Sequence, residues 1–117
     1  MMKYFTTEEF DSPDIPGSGE KMSANFCQKL DAARELAGIP FKINSGYRSK
    51  EWNLKVGGRP GSSHLKGCAA DIHCTTSYER SKILRSLIEA GFTRCGVAKT
   101  FIHVDNDSSK NDAIWLY

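Results

Sequence analysis

Glycine and proline punctuation constrains this chain most, because it leaves no room for long regular elements. The densest stretch, Gly57-Gly58-Arg59-Pro60-Gly61-Ser62-Ser63, cannot be helix or strand and predicts a loop in mid-chain. Residues 11–21 hold Pro13, Pro16, Gly17 and Gly19 and read as a second irregular loop. Thr6 and Glu9 have capping-box spacing for one helical turn, with Phe5 and Phe10 placed to pin it to a core. Residues 22–37 predict a helix with Phe26, Leu30, Ala33 and Leu36 in one stripe, stopped by Gly38 and Pro40. Phe41 to Ser45 alternates like a half-buried strand, Ser49 caps a short helix ending near Val56, and residues 68–74 read as another strand. Thr76 and Glu79 form a second capping box, for a helix lined by Ile83, Leu84, Leu87 and Ile88 and ended by Gly91. Residues 95–98, 100–105 and 113–117 are the remaining strand candidates. Tight connections favour antiparallel pairing, so the fold class is α+β: a small, mostly antiparallel sheet flanked by helices.

A length of 117 residues predicts one domain spanning 1–117. Hydrophobic residues at 39% and charged residues at 26% are ordinary globular composition. Sixteen basic against fourteen acidic residues, a net charge of +2, give no electrostatic case for a nucleic-acid partner. No apolar run approaches the roughly 18 residues of a membrane span. The opening residues from Met1 to Phe10 lack the apolar stretch of a secretory signal, so synthesis in the cytoplasm is the expectation. Cys27, Cys68, Cys74 and Cys95 contain no Cys-x-x-Cys pair, which argues against a zinc ribbon or thioredoxin motif. Free thiols are expected, with up to two disulfides as the alternative. A monomer is expected.

Three histidines allow each neighbourhood to be read in turn. His64 follows the glycine-rich loop and Asp71 comes seven residues later. On a helix those positions would lie about 10.5 Å apart along the axis, too far for a shared metal ion. Gly61 and Gly67 oppose that helix in any case. A loop histidine folded back over a strand carrying the aspartate is the better picture, with Ala69 and Ala70 leaving space around the carboxylate. Alternation in Phe101-Ile102-His103-Val104-Asp105 puts Phe101, His103 and Asp105 on one face, with Ile102 and Val104 opposite. If this strand lies beside the one bearing Asp71, then His64, Asp71 and His103 converge. Two imidazoles and a carboxylate would leave zinc a fourth position for water; two structural histidines and a capping aspartate are the alternative.

Ser45-Gly46-Tyr47-Arg48-Ser49, the pattern Ser62-x-His64-x-x-Gly67-x-Ala69-x-Asp71, and Phe101-Ile102-His103-Val104-Asp105 together resemble the zinc D-Ala-D-Ala carboxypeptidases. Those enzymes belong to the hedgehog-like metallopeptidase group, which includes phage endolysins and vancomycin-resistance dipeptidases. The likeness covers about residues 5–117. It implies one zinc ion held by His64, Asp71 and His103, and hydrolysis of a peptidoglycan stem peptide at or near a D-alanine. It also implies that Arg48 holds substrate; the residue's own reading is a loop arginine whose fork suits a carboxylate or polarised carbonyl, or one engaged in a surface salt bridge. Ser45 is a substrate-binding candidate. Many relatives carry a Glu or His two or three residues before the last histidine ligand, where this chain has Thr100 and Phe101. Asp105 is therefore the candidate catalytic base, or else a partner that holds His103 in its metal-binding tautomer, and His73 is a second candidate base. Lys50, Lys55, Arg59 and Lys66 flank the expected cleft in sequence, while Trp52, Trp115, Tyr117, Cys68 and Cys74 read as packing residues. The implied setting is the cell wall, reached by phage-assisted release or as a cellular carboxypeptidase. A non-catalytic zinc-stabilised module that binds wall peptides or a protein is the alternative.

Overall fold

A computed structural model describes residues 2–117; Met1, at the edge of the expected 1–117 domain, lies outside them. Three α-helices, α1 (Ala24–Ala37), α2 (Lys50–Lys55) and α3 (Ser77–Glu89), accompany five strands. The strands are β1 (Ile43–Ser45), β2 (Ala69–His73), β3 (Arg94–Val97), β4 (Phe101–Asp105) and β5 (Ala113–Leu116), arranged in the order β1-β2-β4-β3-β5. All neighbours run antiparallel except β3 and β5, which are parallel. The α+β reading with a mostly antiparallel sheet holds.

The helix signals act as expected. Ser23 caps α1 by accepting from Phe26 N at 3.2 Å, and Gly38 ends it in the left-handed region. Thr76 and Glu79 exchange the reciprocal bonds of a capping box at 3.1 and 3.2 Å. Two residues of the expected stripes face solvent instead. Leu36 is 51% exposed because Phe26, Leu30, Ala33 and Ala37 form the buried line one position further round. Ile88 is 48% exposed, and the buried place on α3 goes to Ser86, whose hydroxyl is satisfied by donating to the Ile83 carbonyl at 2.8 Å.

Strand alternation divides the sheet into two chemically distinct faces. Ala70 and Ile72 from β2, Ile102 and Val104 from β4, and Cys95 from β3 enter the core with Phe26, Leu30, Ile83, Leu87 and Phe92. Asp71, His103, Arg94 and Gly96 alternate to the opposite face. The four cysteines are free, and burial pushes the Cys27 and Cys95 thiols up to about 11. Registers align one residue from every strand in a single row across the sheet: Ser45, Asp71, His103, Gly96 and Trp115.

Gly67 lets the chain turn between the histidine segment and β2. It has φ +71, and a Cβ there would sit 2.4 Å from the Lys21 carbonyl oxygen. Its own carbonyl accepts from Ser23 N at 2.8 Å, so the turn is stitched to the start of α1. Gly67→Ala is expected to destabilise the protein by at least about 2 kcal/mol in urea unfolding. Gly61→Ala, where the added methyl meets open space, should change little.

Candidate metal centre and its cleft

Each of the three expected ligands is supplied by a different local device. His64 sits in a 3-10 turn, Ser63–Lys66, whose first free N–H, that of His64 itself, is received by Ser62 Oγ at 3.2 Å. Arg48 N donates to the His64 carbonyl at 3.2 Å, fastening this turn to the loop after β1. Asp71 and His103 face each other directly across the β2–β4 ladder. His64 Nε2 lies 3.4 Å from Asp71 Oδ1, and His103 Nδ1 lies 2.9 Å from the same oxygen. All three candidate ligand atoms fall within 4.8 Å of one another. Tetrahedral zinc with bonds of 2.0–2.1 Å wants its ligand atoms about 3.3 Å apart, a value that the 3.4 and 2.9 Å histidine–carboxylate separations bracket.

The outer nitrogens of both imidazoles are held in the sense that metal binding requires. His64 Nδ1 lies 2.7 Å from the Gly46 carbonyl oxygen, which only accepts, so the hydrogen sits on Nδ1 and Nε2 presents a lone pair inward. His103 Nε2 lies 2.7 Å from Asp105 Oδ2, which fixes its hydrogen there and turns Nδ1 toward Asp71. Asp105 is 1% exposed and its other oxygen receives Arg94 Nε at 2.7 Å and Asp107 N at 3.1 Å. Its carboxylate is thus engaged on both sides, on the edge of His103 away from Asp71.

Arg48 reaches Asp71 Oδ2 at 3.4 Å through one terminal nitrogen, Asn53 Oδ1 at 3.2 Å through the other, and Ser45 Oγ at 3.0 Å through Nε. It lines the cleft, whereas Ser45 is not among the lining residues and receives the arginine from behind. The cleft is open, about 810 Å³ in volume, with His64, Asp71 and His103 in its wall. His73 does not line it; Arg59 does, but Lys50, Lys55 and Lys66 do not. Trp115 and Tyr117 correct the expectation of core packing. They line the cleft, and Tyr117 is 67% exposed, because β5 is an edge strand with nothing packed over its site face.

Four contributors were not visible from the chain alone. Arg94 is paired with Asp105 by the β3–β4 register, which no local pattern reveals. Asn53 is buried under Arg48 and donates to the Arg59 carbonyl at 2.9 Å. Asp107 is buried and gathers Ser63 Oγ at 2.7 Å, Lys66 Nζ at 3.0 Å and Ser109 Oγ at 2.7 Å, tying the β4–β5 loop to the histidine turn. Lys110 adds a bond to the Gly61 carbonyl at 2.9 Å.

An α+β sheet that gathers two histidines and an aspartate on an open face is the build of a metal-dependent hydrolase. The family model described as Peptidase M15 matches residues 3–105, and the chain belongs to that family. The zinc D-Ala-D-Ala carboxypeptidase of Streptomyces albus G is 36% identical over 77 residues, covering 58% of this chain and 30% of that protein. The chain therefore matches less than a third of that relative's length.

Charge is finely poised here. Burial raises the Asp71 pKa, but the neighbouring imidazoles of His103 and His64 outweigh it and hold the carboxyl well below its usual range. Burial lowers the His103 pKa, yet bonds to Asp105 and then Asp71 hold it above the ordinary imidazole value. Without a metal, the raised His103 pKa contributes stability that is complete below the ordinary imidazole value of 6.5 and is lost as pH rises through the folded-state value. Lowered Asp71 and Asp105 contribute stability that is complete above the ordinary carboxyl value of 3.8 and is lost as pH falls through their folded-state values. Thermal melts in a chelator should accordingly peak between those two ordinary values. Saturating zinc, replacing the proton on His103, should abolish the alkaline decline.

Proposed function

We propose that this chain is a zinc-dependent peptidase that hydrolyses peptidoglycan stem peptides at or near D-alanine, as a carboxypeptidase or a lysin-type endopeptidase. The observation that carries this reading is the convergence of His64 Nε2, Asp71 Oδ1 and His103 Nδ1 within 4.8 Å, on the wall of an open cleft. The name of the Streptomyces albus G relative supports zinc and D-alanine. A single zinc held by these three residues would supply a Lewis acid that activates water and polarises the scissile carbonyl.

The chain's own residues then have separable roles. Gly46, through its carbonyl, and Asp105 hold the two imidazoles in their metal-binding tautomers. Arg48 lines the cleft, and its N–H groups beyond those bonded to Ser45, Asn53 and Asp71 hold a substrate carboxylate or the oxygen that becomes negative during attack. Ser45 acts by orienting Arg48. Asp105 acts as a positioning residue through His103, in place of the base role. The work of such an enzyme is at the cell wall, in a phage lysin or in wall remodelling by the cell.

A second reading, a zinc-stabilised module that binds wall peptides without cutting them, is favoured by Phe101, whose cleft-lining ring has no proton to move. Zinc-loaded protein offered a peptide ending in D-Ala-D-Ala, and in parallel a set of muropeptides, should release D-alanine or cleave the stem. Chelation should abolish turnover and added zinc restore it. Tight binding without turnover on any substrate, at full metal occupancy, would establish the module instead; failure to bind zinc would defeat both readings. Asp105→Asn should weaken zinc binding about 10–100-fold, with activity recovered at saturating zinc, whereas a base would leave activity lost at full occupancy.

A further inference from the structure

The wall of the cleft opposite Arg48 has no part in holding a metal, yet it is built with unusual economy of space. Trp115, Tyr117 and Phe101 form it. Trp115 lies over Gly96: a Cβ at that position would stand 2.5 Å from the indole nitrogen and 2.7 Å from the Tyr117 ring. Gly96 is directly opposite both His103 and Trp115 in the sheet, and its missing side chain leaves the indole room beside His103. Its ring centroid is 5.5 Å from that of His103. The Arg94 guanidinium lies 5.0 Å from the indole centroid while also bonding Asp105, and Phe101 and Tyr117 pack at 5.1 Å.

Resting on the peptidase reading, we propose that this aromatic shelf is a specificity site that takes the uncharged aliphatic side chain of a peptide residue flanking the cut bond. Charge excludes the other side chains. A carboxylate is repelled by the negative face of an aromatic ring, and the cation beside the indole, Arg94, is already neutralised by Asp105. A cation would be attracted to such a face, but Arg94 already lies against the indole, and Arg48, Arg59 and Lys110 line the same cleft. The polar groups beside the shelf, Arg94 and Asp105, are bonded to each other, leaving little to grip the hydroxyls of a sugar ring. An apolar side chain gains by covering the half-buried indole.

The test uses the zinc-loaded full chain and peptides whose residues on either side of the cut bond are, in turn, alanine, leucine, aspartate or lysine. Trp115→Ala should lower kcat/KM on the alanine and leucine peptides at least about tenfold, while zinc affinity, titrated separately, stays that of the wild type. Trp115→Phe should recover most of the loss. Trp52 lies outside the cleft lining, so Trp52→Phe leaves Trp115 as the sole indole reporter. N-methylated, uncleavable versions of the aliphatic peptides should then shift its fluorescence, and the aspartate and lysine versions should bind at least about tenfold more weakly. Wild-type kcat/KM in Trp115→Ala, a Trp115 emission blind to saturating peptide, or an equal response to a wall disaccharide lacking peptide would each overturn the proposal. If no peptide is cut but the emission responds selectively as expected, the peptidase reading fails and the shelf stands. Should Trp115→Ala fail to fold, the phenylalanine variant and the fluorescence titration decide.

Discussion

Antiparallel pairing of β2 with β4, in the one register that sets Asp71 against His103, is the constraint from which the rest follows. The carboxylate receives a histidine from the neighbouring strand, a second from the turn above and an arginine from the loop beside it. A register slip of one residue would send Asp71 into the core and Ile72 onto the polar face. The hydrophobic alternation of both strands therefore specifies the ligand geometry as firmly as it specifies the core. Site and fold are stabilised by the same pattern, one face each.

Around that pair the polar groups form a continuous chain. Arg94 holds Asp105, Asp105 holds His103, His103 meets Asp71, and Asp71 meets Arg48, which Ser45 and Asn53 hold in turn. Among the described residues no buried side-chain nitrogen or oxygen lacks a partner. Such a fully satisfied network tolerates burial because each charge faces its complement. Taking out a member leaves its neighbour as an uncompensated charge in a low-dielectric setting. This is how a small domain holds three cleft-lining candidate ligands rigid on short elements.

The elements legible in the chain were those governed by local chemistry. Capping residues, glycine stops and strand alternation located nearly every helix and strand, since each signal acts within a few residues. The Ser62-x-His64 to Asp71 spacing and the His103 alternation pointed to the candidate metal centre because they place its three side chains on a turn and two strand faces. What stayed hidden depended on partners distant in sequence. Arg94 acquires its meaning only through register with Asp105, and Asn53 only through the packing of α2 under Arg48. Trp115 and Tyr117 look like core residues in sequence, and only the edge position of β5 reveals them as cleft wall. Leu36 and Ile88 were misassigned for a similar reason: helical periodicity gives a face, but the neighbouring elements decide how wide it is.

Gly46 joins two distant parts of this molecule. Its carbonyl orients His64, while its missing side chain admits Phe10, whose Cα would stand 2.7 Å from a methyl placed there. The Phe10 carbonyl in turn accepts from Tyr47 N at 2.9 Å. The amino-terminal turn is thus a brace under the candidate ligand His64. A designer wishing to transplant this centre onto another scaffold would have to carry along that brace as well as the histidine loop and the paired strands, because a graft limited to the motif would leave His64 free to rotate.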